Sequence, residues 1–364
     1  MALLAVCFGG PAAALAAPGD VVHEVSAVGV GPENQFCKVG MTVGFPNTPI
    51  AGANQLIYYT RCFDASIIAI HPITGLFANG GGIVIGSPDR PLSLAYDARR
   101  HRIWFTAQNG VNSSGIVPEA ERIGICGHDG IGIYYWDLAD RDGAGLPPFI
   151  KDPVYTIPFT QTNPANGEDF YEFCFFDGLA FRAEDISDLT DDELWISDDD
   201  NHNILVLRVD QLETDPLPAI TVDRGYDTRT VSPALDRMTG MAIDKNFLYM
   251  ANASTGNIYR TNINGNPPAL PADPTPFSTS ANVRLADMAC DPYTFAPTEV
   301  LWARSTPQGG KYDDKFIAYE VEGNACDYGG LAGCAAGIDD GDGDSVPCPT
   351  DCDDTDATVS PIAV

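Results

Sequence analysis

The end of the chain concentrates the groups most able to do chemistry. Eight Asp residues fall within positions 339–356, and no Lys or Arg follows Lys315. So many carboxylates without basic partners repel one another unless a hard cation sits among them. Their spacing points to that cation. With Asp340 as loop position 1, Asp342 is position 3, Asp344 position 5, the Val346 carbonyl position 7 and Asp351 position 12. A calcium loop needs this alternation, because every second side chain turns inward as the backbone wraps the ion. There are two departures: Ser345 stands at position 6 where Gly is expected, and position 12 is Asp rather than Glu. Asp353, Asp354 and Asp356 follow, to share the first ion or hold a second. All the donors are oxygen, so Ca2+ is expected rather than zinc. An acidic tail that holds no metal is the competing reading.

The pairing of Asp340-Gly-Asp-Gly-Asp344 with Asp351-Cys-Asp-Asp354 resembles the MopE-type metal-binding motif of secreted bacterial proteins. Dockerin-like and thrombospondin-type loops, which this stretch also resembles, likewise end in Asp. Elsewhere the usual catalytic constellations are missing from the sequence. It has no Gly-x-Ser-x-Gly, no His-Glu-x-x-His and no phosphate-binding Gly-rich loop, and its five His residues are scattered at 23, 71, 101, 128 and 202.

The elements that must carry this tail are short strands. Residues 177–210 hold three apolar runs, Asp177-Gly-Leu-Ala-Phe181, Leu194-Trp-Ile-Ser-Asp198 and Ile204-Leu-Val-Leu-Arg-Val209, with a polar turn before the last. Runs apolar at successive positions suit strands covered on both faces. One such meander cannot bury both its faces and needs neighbours of its own kind. Copies recur, with second-strand aromatics at Tyr58, Trp104, Trp195, Tyr249 and Trp302, in steps of 46, 91, 54 and 53 residues. Repeats of this length predict an all-β fold, a β-propeller. Five blades are visible. A sixth is expected, because the 91-residue step holds either one blade with a large insertion or two blades. Residues 21–30 are expected to complete the last blade and close the ring, and 81–86, 153–159 and 219–222 read as outer strands. The Gly-rich segment 107–130 is long enough to be a binding loop or an inert excursion.

The stretch Leu194-Trp-Ile-Ser-Asp-Asp-Asp-Asn-His-Asn-Ile-Leu-Val-Leu207 resembles an NHL-type propeller repeat, whose second strand ends in Asp and whose turn carries Asn-His. The wider relatives are six-bladed, calcium-dependent propellers of the gluconolactonase kind, and the resemblance extends over residues 36–323. In lactonase-like propellers a central metal is held by Glu, Asn and Asp from inner strand ends. Asp177, Asp198, Asn252 and Asp287 lie where they could contribute, with turn capping as the competing role.

Composition narrows the setting. Lys plus Arg number 20 against 50 Asp plus Glu in 364 residues, a formal charge of −30. Such a surface repels nucleic acid and anionic membranes. Residues 1–16 have the apolar core and small-residue end of a secretory signal, with Ala14-Leu-Ala16 as the cleavage pattern, and no later apolar run reaches 18 residues. A secreted or cell-surface protein is expected, so the ten cysteines read as disulfides. With Cys7 set aside in the signal-like segment, nine remain; the preferred pairs are Cys37 with Cys62, Cys126 with Cys174, Cys326 with Cys334 and Cys348 with Cys352, leaving Cys290 as a buried thiol. Asn112-Ser-Ser and Asn252-Ala-Ser match the glycosylation pattern.

The expected organisation is a signal-like segment at 1–16, a propeller at 17–323 and a Cys- and Asp-rich calcium-binding tail at 324–364. The expected role is a non-enzymatic structural or adhesive building block. Its partner is a second copy or another extracellular surface, with filaments or tubes built through the tail. The alternative is a lactonase- or esterase-like metal-dependent hydrolase on the propeller axis.

Overall fold

The computed structural model of the chain describes residues 17–28, 40–46, 55–61, 66–78, 83–84, 89–109, 130–138, 153–158, 161–167, 176–183, 189–198, 202–212, 222–231, 238–244, 246–252, 255–263, 276–279, 283–307, 315–322 and 326. Runs of β-branched and aromatic residues, broken by Gly, Asn and Asp, form strands that pair antiparallel into four-stranded sheets. The first blade holds β2 (Met41–Gly44), β3 (Leu56–Arg61), β4 (Ser66–Ile70) and β5 (Ile83–Val84). The second holds β6 (Asp89–Asp97), β7 (Arg102–Asn109), β8 (Gly130–Asp137) and β9 (Tyr155–Pro158). The third holds β10 (Phe176–Arg182), β11 (Glu193–Asp198), β12 (Asn203–Arg208) and β13 (Arg224–Asp227). The fourth holds β14 (Met238–Ile243), β15 (Phe247–Asn252), β16 (Asn257–Asn262) and β17 (Ser278–Thr279). The fifth holds β18 (Val283–Asp291), β19 (Val300–Pro307) and β20 (Lys315–Glu320). Its outer edge is completed by β1 (Val21–Ser26), which pairs antiparallel with β20. The N-terminal strand therefore closes the ring as expected.

The inner strands pack in a circle: β2 on β6, β6 on β10, β10 on β14, β14 on β18 and β18 on β2. This is a five-bladed β-propeller, and the expected sixth blade is corrected to none. Among the described residues the 91-residue step holds a single blade, β6 to β9, before β10 opens the next; residues 110–129, 159–160 and 168–175 lie outside the described residues.

Each pair of neighbouring blades encloses its own core around one second-strand aromatic. Tyr58 sits with Leu94 and Phe105, Trp104 with Ala95 and Leu179, Trp195 with Ala180 and Met241, Tyr249 with Ala242 and Met288, and Trp302 with Ala289 and Met41. Burying one large apolar side chain contributes roughly 1.5–3 kcal/mol, so these five rings anchor the blade-to-blade contacts.

Three local expectations change. The outer strand of the third blade is Arg224–Asp227 rather than 219–222, because Tyr226 stacks on Trp195 with ring centroids 5.3 Å apart. Cys290 is not a thiol. It is joined to Cys326, with their Cα atoms 5.2 Å apart, in place of the expected Cys326–Cys334 pair. The Cys326 amide donates to Glu299 Oε2 at 2.9 Å, just before β19, whose Leu301 pairs with Cys290 in β18. Asn252 is 1% exposed and its Oδ1 accepts the Thr255 amide, so the acceptor side chain of that sequon is buried. The other cysteines of the expected pairs, Cys37, Cys62, Cys126, Cys174, Cys334, Cys348 and Cys352, lie outside the described residues. So do Asp340, Asp342, Asp344, Val346, Asp351, Asp353, Asp354 and Asp356. Among the described residues no helix is long and apolar enough to cross a membrane.

Candidate functional site at the propeller axis

The inner strands share one pattern: Met41-Thr-Val-Gly44, Leu94-Ala-Tyr-Asp97, Leu179-Ala-Phe-Arg182, Met241-Ala-Ile-Asp244 and Met288-Ala-Cys-Asp291. In four of the five blades a register shift precedes the pattern. The residues just before it, Gly40, Ser93, Gly178, Gly240 and Asp287, form one layer around the axis. That layer is tight. A Cβ on Gly178 would lie 2.9 Å from Met241 Cβ, and on Gly40 or Gly240 it would overlap the main chain of the next blade. Ser93 turns its hydroxyl aside to Thr106 Oγ1 at 2.8 Å. The centre of the layer is left to a single side chain, Asp287.

Asp287 is wholly buried and is held by main chain from four blades. Its Oδ2 accepts the amides of Met41 at 3.2 Å and Leu94 at 3.3 Å, and its Oδ1 accepts that of Met288 at 3.0 Å. The Met241 amide is the fourth donor. All four donors occupy the same position of the repeat. Burial pushes the carboxyl well above the usual carboxylate range, against the amides, which draw it down.

The shift in β18 sets two residues, Ala286 and Asp287, against one in β19, Arg304. Arg304 is also wholly buried; its Nη1 donates to the Thr60 carbonyl at 2.9 Å and its guanidinium lies 4.7 Å from the centre of the Tyr59 ring. The equivalent residues of the other blades, two beyond each second-strand aromatic, are Thr60, Thr106, Ser197 and Ala251. The fifth blade therefore places both a buried acid and a buried base where its neighbours have neither.

Below this layer the axis opens into a cavity of about 60 Å³, lined by Thr42, Ala95, Ala180, Ala242 and Ala289 and reaching Arg182 and Asp244 at the far end. Here the repeat ends in turn caps. Asp97 Oδ1 accepts the amides of Arg99 and Arg100, Asp244 Oδ1 those of Asn246 and Phe247, and Asp291 Oδ1 those of Tyr293 and Thr294. The other oxygens of Asp97 and Asp291 receive the indole N–H of Trp104 at 3.2 Å and Trp302 at 2.8 Å. The third blade has Arg182 at this position, so Trp195 donates instead to Glu193, which Arg182 and Arg224 also hold.

Of the four residues expected near the axis, the structure brings one there, Asp287. Asn252 caps a turn, while Asp177 and Asp198 lie in β10 and β11 with side chains outside the described residues. Arg304 was missed, although its place after Trp302, where other blades have Thr, Ser or Ala, marks it. Asp97, Asp244 and Asp291 were missed as a set, although each closes the same four-residue pattern. Among the described residues no three His, Cys, Asp or Glu side chains are placed to hold a metal. At the axis four of the five positions carry Gly or Ser, and both oxygens of Asp287 are taken by amides. An axial metal of the lactonase kind does not fit this donor set.

No family model matches the chain, and no curated protein matches its sequence. Solved structures do. The PQQ-bound form of aldose sugar dehydrogenase from Streptomyces coelicolor is 16% identical, over 83% of this chain and 98% of that one, with a TM-score of 0.44. Glutaminyl cyclase from Myxococcus xanthus is 8% identical, over 83% and 97%, with a TM-score of 0.43. The calcium-binding protein regucalcin from Agrobacterium tumefaciens is 14% identical, over 80% and 92%, with a TM-score of 0.38. At these identities the likeness is one of fold alone. Within this chain β1 closes the ring, and the fifth blade buries Asp287 and Arg304 where the other blades carry small residues. The expected non-enzymatic structural or adhesive role, with its filaments or tubes, is corrected accordingly.

Proposed function

We propose that the chain is a propeller enzyme that hydrolyses a small lactone or ester at the Asp287 end of its axis. The observation that carries this reading is the pair Asp287 and Arg304, both without exposure, at positions where the other four blades carry Gly or Ser and Thr, Ser or Ala. Burying ionisable groups is costly, and the other four blades carry none at these two positions. Buried ionisable groups with displaced pKa values gather at working sites. On this reading the substrate sits in the axial cavity, and Asp287 and Arg304 act from behind its wall as positioning residues. Asp287 holds the amides of Leu94 and Met288, which line the cavity, and Arg304 ties β19 to the first blade. No step is assigned to an axial metal.

Initial rates on a panel of γ- and δ-lactones and aryl esters test the reading. Asp287→Asn and Arg304→Gln are each expected to lower kcat at least ~100-fold while circular dichroism stays unchanged. A wild-type chain that hydrolyses none of the panel between pH 5 and 9 removes the proposal.

Calcium, on the same reading, belongs to the tail, where Asp340, Asp342, Asp344, Asp351, Asp353, Asp354 and Asp356 and the Val346 carbonyl hold it. The support is their spacing, and the test is limited proteolysis with and without EDTA. Calcium-dependent protection of residues 326–361 is expected, and an unchanged cleavage pattern excludes it. Export is proposed from the signal-like residues 1–16 together with the Cys290–Cys326 disulfide, which suits an oxidising compartment.

A further inference from the structure

We propose that the propeller axis contains an anion site built of main-chain amides, that Asp287 is its resident ligand, and that a free small carboxylate such as formate or acetate takes its place once that side chain is removed. The inference does not depend on the proposed hydrolysis.

Four N–H groups, those of Met41, Leu94, Met241 and Met288, come from four different blades and the same position of the repeat. Their convergence is a property of the ring rather than of one loop. Amides gathered around one point favour a negative group, and a carboxylate offers two oxygens with about four lone-pair positions, matching four donors. The surrounding layer leaves no room for a larger guest: three of its five positions are Gly, and a Cβ on Gly178, Gly40 or Gly240 would already crowd the next blade. Asp287→Ala keeps the Cβ present in the wild type and removes only the carboxyl group. The space released has the size and shape of formate, and the amides left behind are buried donors in need of an acceptor. Burial of the site makes the exchange selective, because a guest must be small, planar and able to accept from several directions.

The test uses the full chain carrying Asp287→Ala, with the wild type alongside. Thermal unfolding is followed in sodium formate, in sodium acetate and in sodium chloride at matched ionic strength. The variant is expected to unfold below the wild type. Formate is expected to raise its midpoint saturably by at least ~3 °C beyond the chloride effect, with no such excess in the wild type. If the variant is isolated unfolded, it is refolded from urea with and without formate, and a formate-dependent yield is expected. A variant whose midpoint and refolding yield respond to formate no more than to chloride overturns the proposal. Neither readout involves substrate turnover, so a failure of the hydrolase reading leaves this result interpretable.

Discussion

The Asp287 carboxylate accepts the Met41 amide at 3.2 Å, across 246 residues of sequence. That bond joins the fifth blade to the first at the axis, as the pairing of β1 with β20 joins the first described strand to the last at the rim. The ring is thus closed twice. Asp287→Ala strips the acceptor from four buried amides, and a loss of roughly 4 kcal/mol is expected in the absence of small carboxylates. Urea denaturation measures it. A loss under about 1 kcal/mol would show that the axial bonds do not hold the blades together.

Stability is expected to fall as pH rises through the neutral range. Burial pushes Asp244 up to about 7 and Asp192 up to about 6, from an ordinary value of 3.8. The folded chain therefore keeps protons that the unfolded chain releases. The stability this contributes is complete below the unfolded pKa and is lost as pH climbs through 6 and 7. Asp244→Asn retains Oδ1, which accepts the amides of Asn246 and Phe247 at 2.6 Å each, and carries no charge. It should stabilise the protein by about 1–3 kcal/mol at pH 8 and flatten the profile between pH 5 and 8. A variant as sensitive to pH as the wild type contradicts this assignment.

The Cys290–Cys326 bond makes a simple prediction for peptide mapping. Without reduction, a tryptic digest should yield residues 285–304 linked to residues 316–364, since no Lys or Arg follows Lys315. Cleaving this bond, which spans 36 residues, should cost about 3–4 kcal/mol by the loop-entropy estimate. Recovering residues 285–304 free from an unreduced digest would rule the pairing out.

Trp302 ties the fifth blade's inner strand to its second strand through the 2.8 Å bond from its indole N–H to Asp291 Oδ2. Trp302→Phe preserves most of the packing but leaves a buried carboxylate oxygen without its donor. A loss of about 2–3 kcal/mol is expected. The same change at Trp195, where Glu193 is also held by Arg182 and Arg224, should cost less. Equal losses at the two positions would contradict the distinction.

Much of the architecture was legible because it rests on repetition. Recurring second-strand aromatics reveal blades, and a solitary strand near residue 21 suits the role of closing the last one. Blade number was harder to read, since a 91-residue step has the same length whether the surplus forms strands or connections. The Cys290–Cys326 pair was hidden because it depends on where the chain runs after β20, which local pattern does not record. Asp287 was legible only as one of four acidic or amide residues near strand ends. Aligning Met288-Ala-Cys-Asp291 with its four counterparts sets Asp287 beside Gly40, Gly178 and Gly240, but only the folded ring reveals that the three glycines clear the centre for its carboxylate.

The most direct measurement is a ¹⁵N spectrum of protein labelled only at methionine. The chain has six methionines; Met41, Met241 and Met288 donate to Asp287, while Met238 and Met250 lie in the core between the third and fourth blades. Replacing Asp287 by Asn should move the amide signals of Met41, Met241 and Met288 together and leave those of Met238 and Met250 nearly in place. Unmoved signals for the first three, or an equal displacement of all five, would contradict a carboxylate shared by the blades at the axis.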